Sequence, residues 1–331
     1  MRRLAARLVI AGMTLVVGGT AAGCSGAPVL AYAQGATQQP SAPSASASAA
    51  TATVPASARD KTEPAVPSLA LSGAPKGVGA KAGILVDAAT GQVLWVKGEN
   101  TELPIASITK VMTALVVIQA GEPNRRIAVP KAVTGYVTKY GADAAGLIPG
   151  QVFTTDELLH VMLVMSAADA AYTLANAYGP GLPAFIGKMN AEAAHLGLTE
   201  THFTSPDGLP YPTETSTYST PADLVRLGEV AMAYPEFSSI VDLRVYNLPK
   251  GDRHNAVSVS TDSYFLKTYP GAVGIKTGFT DAAGHTLLFE AVRNGRVLIG
   301  DVLGSSFNGY AAAALDSEKL LNWGFSLKQT G

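Results

Sequence analysis

The sequence predicts an α+β fold: an antiparallel sheet flanked by N- and C-terminal helices, with an all-helical lobe inserted between its first and last strands. Three observations predict it. Two strand-like runs near the start, Ile84-Leu-Val-Asp87 and Val93-Leu-Trp-Val-Lys97, flank a turn ending at Gly91 and read as a hairpin. Three more strand-like runs come late, the last two joined by Asn294-Gly295, a dipeptide suited to a tight hairpin turn. Between the two sets the apolar spacing is helical, and it becomes helical again after the last strand.

The N-terminus contributes no core. Arg2, Arg3 and Arg7 precede an apolar run from Leu8 to Val17, too short to span a bilayer, so residues 1–23 read as an export signal. Two processing sites compete. Ala21-Ala-Gly-Cys24 would make Cys24 the acylated first residue of a lipoprotein, whereas Ala31-Tyr-Ala33 would release a secreted protein. Lipidation at Cys24 is favoured, because the second site lies far beyond the apolar run. Residues 24–76 are rich in Ala, Ser, Thr, Pro and Gln; they bury too little apolar surface to offset ordering entropy and read as a flexible tether. The expectation is an extracytoplasmic protein held to the membrane by its N-terminal tether, with residues 77–331 as its folded domain. Cys24 is the single cysteine, so that domain has no disulfide.

After the hairpin, Pro104 precedes a helix whose apolar run spans Val111 to Ala120 and stops at Gly121. Residues Ile127 to Gly150 are Gly-rich and expected to be irregular. Thr154 or Thr155 caps a helix that has Glu157 in its first turn and runs to Met165. Ala168 to Tyr178 and Leu182 to Leu196 give two more helices, and Ser219-Thr-Pro-Ala-Asp223 opens another that reaches about Ala233. The late strands are Gly271 to Thr277, Gly284 to Val292 and Arg296 to Gly304. A terminal helix from about Asn308 to Trp323 follows, capped by Gly324. A site is expected in the cleft between sheet and inserted lobe.

A net charge of -1 gives no global basic field, so nucleic acid is not an expected partner. The five histidines show no H-E-x-x-H or similar spacing, so neither a metal nor another cofactor is expected. Gly271-Ala-Val-Gly-Ile-Lys276 fails as a phosphate loop because Ile275 separates glycine from lysine, and no G-x-S-x-G elbow occurs.

What remains is Ser107-Ile-Thr-Lys110. Residues three apart share a helix face, so the Lys110 amine can reach the Ser107 hydroxyl. A serine needs a neighbour to remove its proton, and an amine can do this once burial or nearby positive charge lowers its pKa. By itself the tetrad is also what a helix cap followed by a surface lysine looks like. Two further motifs sit where the cleft would use them: Ser166-Ala-Ala-Asp169 at a junction between helices, and Lys276-Thr-Gly-Phe279 at the end of a strand.

With S-x-x-K, a serine-led second motif and K-T-G in this order, the chain resembles the penicillin-recognising serine DD-peptidases, specifically the D-alanyl-D-alanine carboxypeptidases. The resemblance covers about residues 80 to 325, with Asp207-Gly-Leu209, Tyr218-Ser-Thr-Pro-Ala-Asp-Leu224 and Glu318-Lys-Leu-Leu-Asn-Trp-Gly-Phe325 as further landmarks. It implies a β-lactamase/DD-peptidase-like fold and a serine carboxypeptidase that releases the terminal D-Ala from peptidoglycan stem peptides through an acyl-enzyme, with β-lactams as covalent inhibitors. It also implies roles. Ser107 attacks the carbonyl of the penultimate D-Ala, Lys110 takes its proton and Ser166 relays a proton to the leaving amine. Lys276 and Thr277 hold the terminal carboxylate, Gly278 leaves room for substrate along the strand edge, and the backbone N–H groups of Ser107 and Phe279 form an oxyanion hole.

The chain departs from the family pattern at Ala168, where the second motif usually ends in Asn; Asp169 beside it reads as structural. Because the chain ends shortly after Phe325, the extra C-terminal β domain and amphipathic anchor of some relatives are not expected, and anchoring falls to the N-terminus. Three rival functions stay open. A β-lactamase would need a glutamate to activate the deacylating water, and Glu200 and Glu214 do not sit in the required loop pattern. A DD-transpeptidase would pass the acyl group to an amine. A non-catalytic peptidoglycan-binding scaffold would explain Ala168.

Overall fold

A computed structural model describes residues 73–306 and 309–328. The export signal, Cys24 and the tether up to residue 72 lie outside the described residues.

The chain enters through β1 (Ala82–Asp87) and β2 (Gln92–Lys97), the expected hairpin. A two-residue strand β3 (Leu103–Pro104) and a single 3-10 turn (Ala106–Ile108) lead into α1 (Thr109–Gln119). The stretch expected to be irregular holds β4 (Arg126–Ala128) and α2 (Ala132–Tyr140). Val133, Tyr136, Val137 and Tyr140 line one face of that helix at helical spacing, but the stripe is short, it has Gly135 within it, only Val133 is fully buried, and the N-cap, Lys131, makes no side-chain cap, so the Gly-rich stretch hides it.

The lobe continues with β5 (Val152–Thr154), α3 (Thr155–Met165), α4 (Ala168–Tyr178) and α5 (Leu182–His195). Thr154 caps α3 as expected, in a capping box with Glu157: the hydroxyl accepts from the Glu157 N–H at 3.2 Å while the carboxylate accepts from the Thr154 N–H at 2.7 Å. Next come β6 (Tyr218–Ser219), α6 (Pro221–Met232), α7 (Pro235–Val241), the small hairpin β7 (Val245–Leu248) and β8 (Val257–Ser260), and α8 (Tyr264–Thr268). The last four gave no sequence signal, being too short for a periodic pattern to register. Strands β9 (Ala272–Thr280), β10 (Gly284–Arg293) and β11 (Arg296–Ser305) and the helix α9 (Ala312–Ser326) complete the order.

The main sheet runs β2-β1-β11-β10-β9 and all its pairings are antiparallel, so the first hairpin closes against the last strands, with Ile84 opposite Asp301. Alternate residues of β11 face two cores. Leu298 and Val302 pack with Leu85, Phe289, Leu320 and Leu321 under α9, whereas Ile299 and Leu303 join Ile84, Leu227 and Leu288 on the face covered by α6. Behind α6 stand α1 and the rest of the helical lobe. Gly324 does not end α9 as expected. It lies inside the helix where a Cβ would come within 2.8 Å of Leu85 and 2.9 Å of Leu298, so the residue serves helix–sheet approach and the helix continues past it.

The outer strand β9 is an edge of the sheet, and it packs against the 3-10 turn that carries Ser107. This places the early and late motifs side by side.

Candidate active site

Ser107 sits in the 3-10 turn, one step ahead of α1, and Lys110 lies in the first turn of α1. The turn is entered through Ala106 at a φ of 48°, a left-handed conformation that an L side chain adopts at a cost of about 1–3 kcal/mol. The Thr109 hydroxyl holds it there by donating to the Ala106 carbonyl at 2.8 Å. Across this junction the Lys110 Nζ donates to Ser107 Oγ at 2.8 Å and to the carbonyl of Asp207 at 3.0 Å. The spacing of three residues therefore brings amine and hydroxyl together although they do not share one regular helix.

The amine is buried, with Lys110 only 2% exposed. Burial depresses its pKa from 10.5 to about 8; the Asp207 carboxylate opposes the shift and the Lys276 cation adds to it. A meaningful fraction of Lys110 is thus neutral near pH 7 and able to accept the Ser107 proton.

Ser166 follows α3 and adopts the same left-handed conformation, at a φ of 66°, before the chain turns into α4. Among the described residues, three non-glycine residues have positive φ; the third, Asn294, is in the hairpin turn, so the other two are both at the site. Ala168 begins α4, buried, and its N–H donates to the Asp143 carbonyl at 2.8 Å. Asp169 is structural, as expected: its carboxylate accepts from the N–H groups of Ala145 and Leu147 at 3.1 and 2.9 Å and pins the loop after α2.

Lys276, Thr277, Gly278 and Phe279 lie in sequence along β9. At Gly278 a Cβ would meet Thr286 Oγ1 at 2.6 Å and both Ile105 O and Ser107 N at 2.9 Å. Its absence is required by the approach of β9 to the turn that carries Ser107, whatever room it also leaves for substrate. Lys276 is buried and its Nζ donates to Thr277 O at 3.1 Å and Thr277 Oγ1 at 3.3 Å. Burial lowers its pKa, against the pull of the Asp262 and Asp143 carboxylates. Ser107, Ser166, Thr277, Gly278 and Phe279 all line one cleft of about 280 Å³. The half-exposed Phe279 ring rests on His285, with centroids 4.6 Å apart.

A model of the family described as D-alanyl-D-alanine carboxypeptidase, peptidase S11, matches residues 70–306. The chain belongs to this family. It is 34% identical over 262 residues to a D-alanyl-D-alanine carboxypeptidase of Streptomyces sp. strain K15, covering 76% of this chain and 88% of the relative. It is 37% identical over 245 residues to one from Mycobacterium tuberculosis, covering 74% and 81%. The crystal structure of the Streptomyces K15 DD-transpeptidase superposes with a TM-score of 0.71 at 34% identity, over 76% of this chain and 99% of that one. These neighbours carry the β-lactamase-like DD-peptidase fold that the sequence implied. As a family member the chain is a serine-type D-Ala-D-Ala carboxypeptidase, a hydrolase; an acyl-enzyme and inhibition by β-lactams are general for the family.

In this carboxypeptidase three participants escaped sequence reasoning. Asp207 belongs to the Asp207-Gly-Leu landmark, but nothing in the sequence says that its carbonyl meets Lys110 or that its buried carboxylate accepts from the Tyr136 hydroxyl. Tyr136 lies on α2, in the short apolar stripe with Val133, Val137 and Tyr140 that could have marked the helix. Asp262 lines the cleft and accepts from Thr277 Oγ1 at 3.0 Å; the only hint was its place just before the K-T-G strand.

Proposed function

We propose that Ser107 is the nucleophile of this carboxypeptidase and Lys110 its general base. The 2.8 Å contact between the Lys110 amine and the Ser107 hydroxyl, with an amine whose pKa is near 8, carries the reading. Ser107 Oγ attacks the carbonyl carbon of the penultimate D-Ala while its proton passes to Lys110. The carbonyl oxygen takes up charge between the N–H groups of Ser107 and Phe279. As the C–N bond breaks, the proton travels from Lys110 through Ser166 to the leaving D-Ala amine. Water then attacks the ester, Lys110 takes its proton, and Ser107 is regenerated as the shortened stem peptide leaves. Lys276 supplies positive charge for the terminal carboxylate.

The substrates on this reading are peptidoglycan stem peptides ending in D-Ala-D-Ala, and β-lactams acylate the same hydroxyl. Incubation with a labelled penicillin should give a covalent adduct on wild type and none on Ser107→Ala, and only wild type should release D-Ala from a stem-peptide mimic. No adduct on the wild type leaves a scaffold in place of an enzyme. Release of D-Ala only with an added amine acceptor marks a transpeptidase, and rapid penicillin turnover a β-lactamase.

The arginine-led apolar run and the Ser/Pro/Ala-rich segment after it support an exported enzyme tethered to the membrane through lipidated Cys24. A fatty-acid probe should label wild type and not Cys24→Ala; equal labelling rejects the anchor, and cleavage after Ala33 leaves a secreted enzyme.

A further inference from the structure

A row of tyrosines runs outward from Asp207, the residue whose carbonyl meets Lys110. Tyr136 bonds the Asp207 carboxylate and packs its ring against Tyr172 on α4 and Tyr140 one turn along α2, with centroids 4.7 and 5.3 Å away. Tyr140 in turn meets Tyr211 at 6.4 Å, the two planes set 78° apart, so the pair forms a corner. Lys139 places its Nζ over both of these rings, 4.9 Å from the Tyr140 centroid and 5.6 Å from that of Tyr211. Tyr136, Tyr140 and Tyr172 are half-buried, but Tyr211 is 52% exposed. Lys139 is exposed and pairs with no carboxylate among the described residues, so its N–H groups are open to a ligand's oxygen atoms. The loop that carries Tyr211 is fixed by its own bonds: the Leu209 N–H donates to Asp207 Oδ1 and Ser205 Oγ to the Leu209 carbonyl, each at 3.2 Å, and Thr204 Oγ1 donates to the Tyr211 carbonyl.

We propose that Tyr211, Tyr140 and Lys139 form a subsite for the glycan to which the stem peptide is attached. The inference rests on the reading of Ser107 above, since the peptide bound there is what delivers the glycan, and it adds where the other end of the donor lies. The scissile carbonyl sits at Ser107, and the first sugar is about four residues upstream, no more than ~14 Å of extended chain away. Tyr211 follows Asp207 by four positions, and the Asp207 carbonyl is 3.0 Å from Lys110 Nζ, so the exposed ring stands within a similar reach of the reacting bond. The tyrosines belong to the helical lobe and its loop, whereas Lys276 and Thr277, which take the terminal carboxylate, belong to the sheet, so the two ends of the donor have separate places. A pyranose suits the corner chemically. Its ring face presents C–H groups to an aromatic face, and its rim presents hydroxyl and acetamido oxygens to a fixed N–H donor. The two rings hold the Lys139 amine and the bonded loop holds Tyr211, so little freedom is lost when sugar binds.

The test compares two donors, a free stem peptide ending in D-Ala-D-Ala and the same peptide on its N-acetylglucosamine–N-acetylmuramic acid disaccharide, and reads the ratio of their kcat/KM values for D-Ala release. Wild type should favour the disaccharide donor by about fivefold or more, chiefly through KM, as expected for one aromatic contact and a hydrogen bond. Tyr211→Ala should bring the ratio to within about twofold by losing activity on the glycan-linked donor, and Tyr211→Phe should keep the preference, because stacking uses the ring. Thermal melting and penicillin labelling establish that each variant is folded and can be acylated. Separately, the peptide-free disaccharide at millimolar concentration should shift the NMR signals of the Tyr140 and Tyr211 rings in Ser107→Ala. A wild-type ratio near one overturns the inference, as does an unchanged ratio in Tyr211→Ala or the absence of any shift on adding disaccharide. Equal losses on both donors together with slower penicillin acylation in Tyr211→Ala also overturn it, and make the loop a support for Lys110 through Asp207. If wild type forms no penicillin adduct and releases D-Ala from neither donor, yet the disaccharide still shifts the tyrosine signals, the reading of Ser107 fails and the glycan subsite stands.

Discussion

The Tyr136 hydroxyl donates to the carboxylate of Asp207, 2.9 Å from one oxygen and 3.0 Å from the other, and the carbonyl of that same Asp207 receives the Lys110 amine. A helix of the inserted lobe is in this way tied to Lys110, the proposed base, through one residue. Burial pushes the Tyr136 phenol well above its ordinary pKa, and the adjoining Asp207 charge raises it further, so it stays a donor at any working pH. Tyr136→Phe leaves a buried carboxylate with one partner fewer, which costs roughly 1–3 kcal/mol. The variant should melt at lower temperature and acylate more slowly, as seen by thermal denaturation and penicillin labelling; an unchanged acylation rate would show that the link does not position Lys110.

Lys110 must be neutral to act as a base. With a pKa near 8, its neutral fraction and hence the acylation rate should climb through pH 6 and 7, by up to about tenfold per pH unit, and level off above 8. Stopped-flow measurement of penicillin acylation against pH checks this. A flat profile, or one that falls over this range, removes Lys110 as the base; Lys110→Arg should abolish acylation because its guanidinium keeps its proton.

Asp301 is fully buried in β11, and neither of its carboxylate oxygens has a hydrogen-bond partner among the described residues. Burial holds its pKa well above 3.8. The unfolded chain therefore releases a proton from about pH 4 upward that the folded chain retains, and this residue's contribution to stability declines as pH rises. Asp301→Val fits the strand and the surrounding Ile84 and Leu288. It should stabilise the protein at pH 7 by roughly 1–3 kcal/mol, with the gain shrinking toward pH 3. Denaturant melts at the two pH values decide; a gain that does not depend on pH would exclude titration as its source.

Asp87 illustrates the opposite sign. Burial pushes its carboxyl up, but the Arg296 guanidinium, 2.7 Å away, and the Thr90 and Ala89 N–H groups outweigh this and hold it below 3.8. Its stabilisation is present above that pH and is lost in acid. Arg296 also donates to the carbonyls of Gly324 and Leu327, so Arg296→Met strands a buried charge and frees the end of α9. A loss of about 3–5 kcal/mol is expected at pH 7. Urea melts of Arg296→Met, Asp87→Asn and the double variant should show the double variant losing less than the sum of the two single ones.

Ala168 stands where the S-x-N signature that the sequence resembles would place Asn. If a missing amide limits hydrolysis, Ala168→Asn should raise the rate of D-Ala release. The position is 2% exposed, so the larger side chain should also lower stability, by about 1–3 kcal/mol. Steady-state release beside a thermal melt separates the two effects. Unchanged or slower release from a folded variant would show that alanine is not limiting.

The parts of the fold that were legible in the sequence are those with a local chemical cause. Thr154 with Glu157 announces α3, and Asn294-Gly295 joins β10 to β11, because capping and turn preferences act within a few residues. The helix α2 was missed since its stripe of Val133, Tyr136, Val137 and Tyr140 is only two turns long, contains Gly135 and lies in a Gly-rich stretch. The same divide runs through the site. Ser107 and Lys110 are neighbours in sequence and announce themselves, whereas the partnership of Lys110 with Asp207 spans 97 positions and that of Thr277 with Asp262 spans 15. Sequence-local patterns cannot encode which carbonyl or carboxylate folding delivers to a given amine or hydroxyl.

The pairing of β1 with β11 has a consequence for the chain as it is being made. Ile84 waits for Asp301, and the Ser107 turn waits for β9, so a growing polypeptide that already contains the serine and its lysine has no substrate-binding edge until residues near Thr280 have emerged. Chemical competence is therefore deferred to the final stage of synthesis, and a truncated chain carries an intact nucleophile motif with nothing beside it.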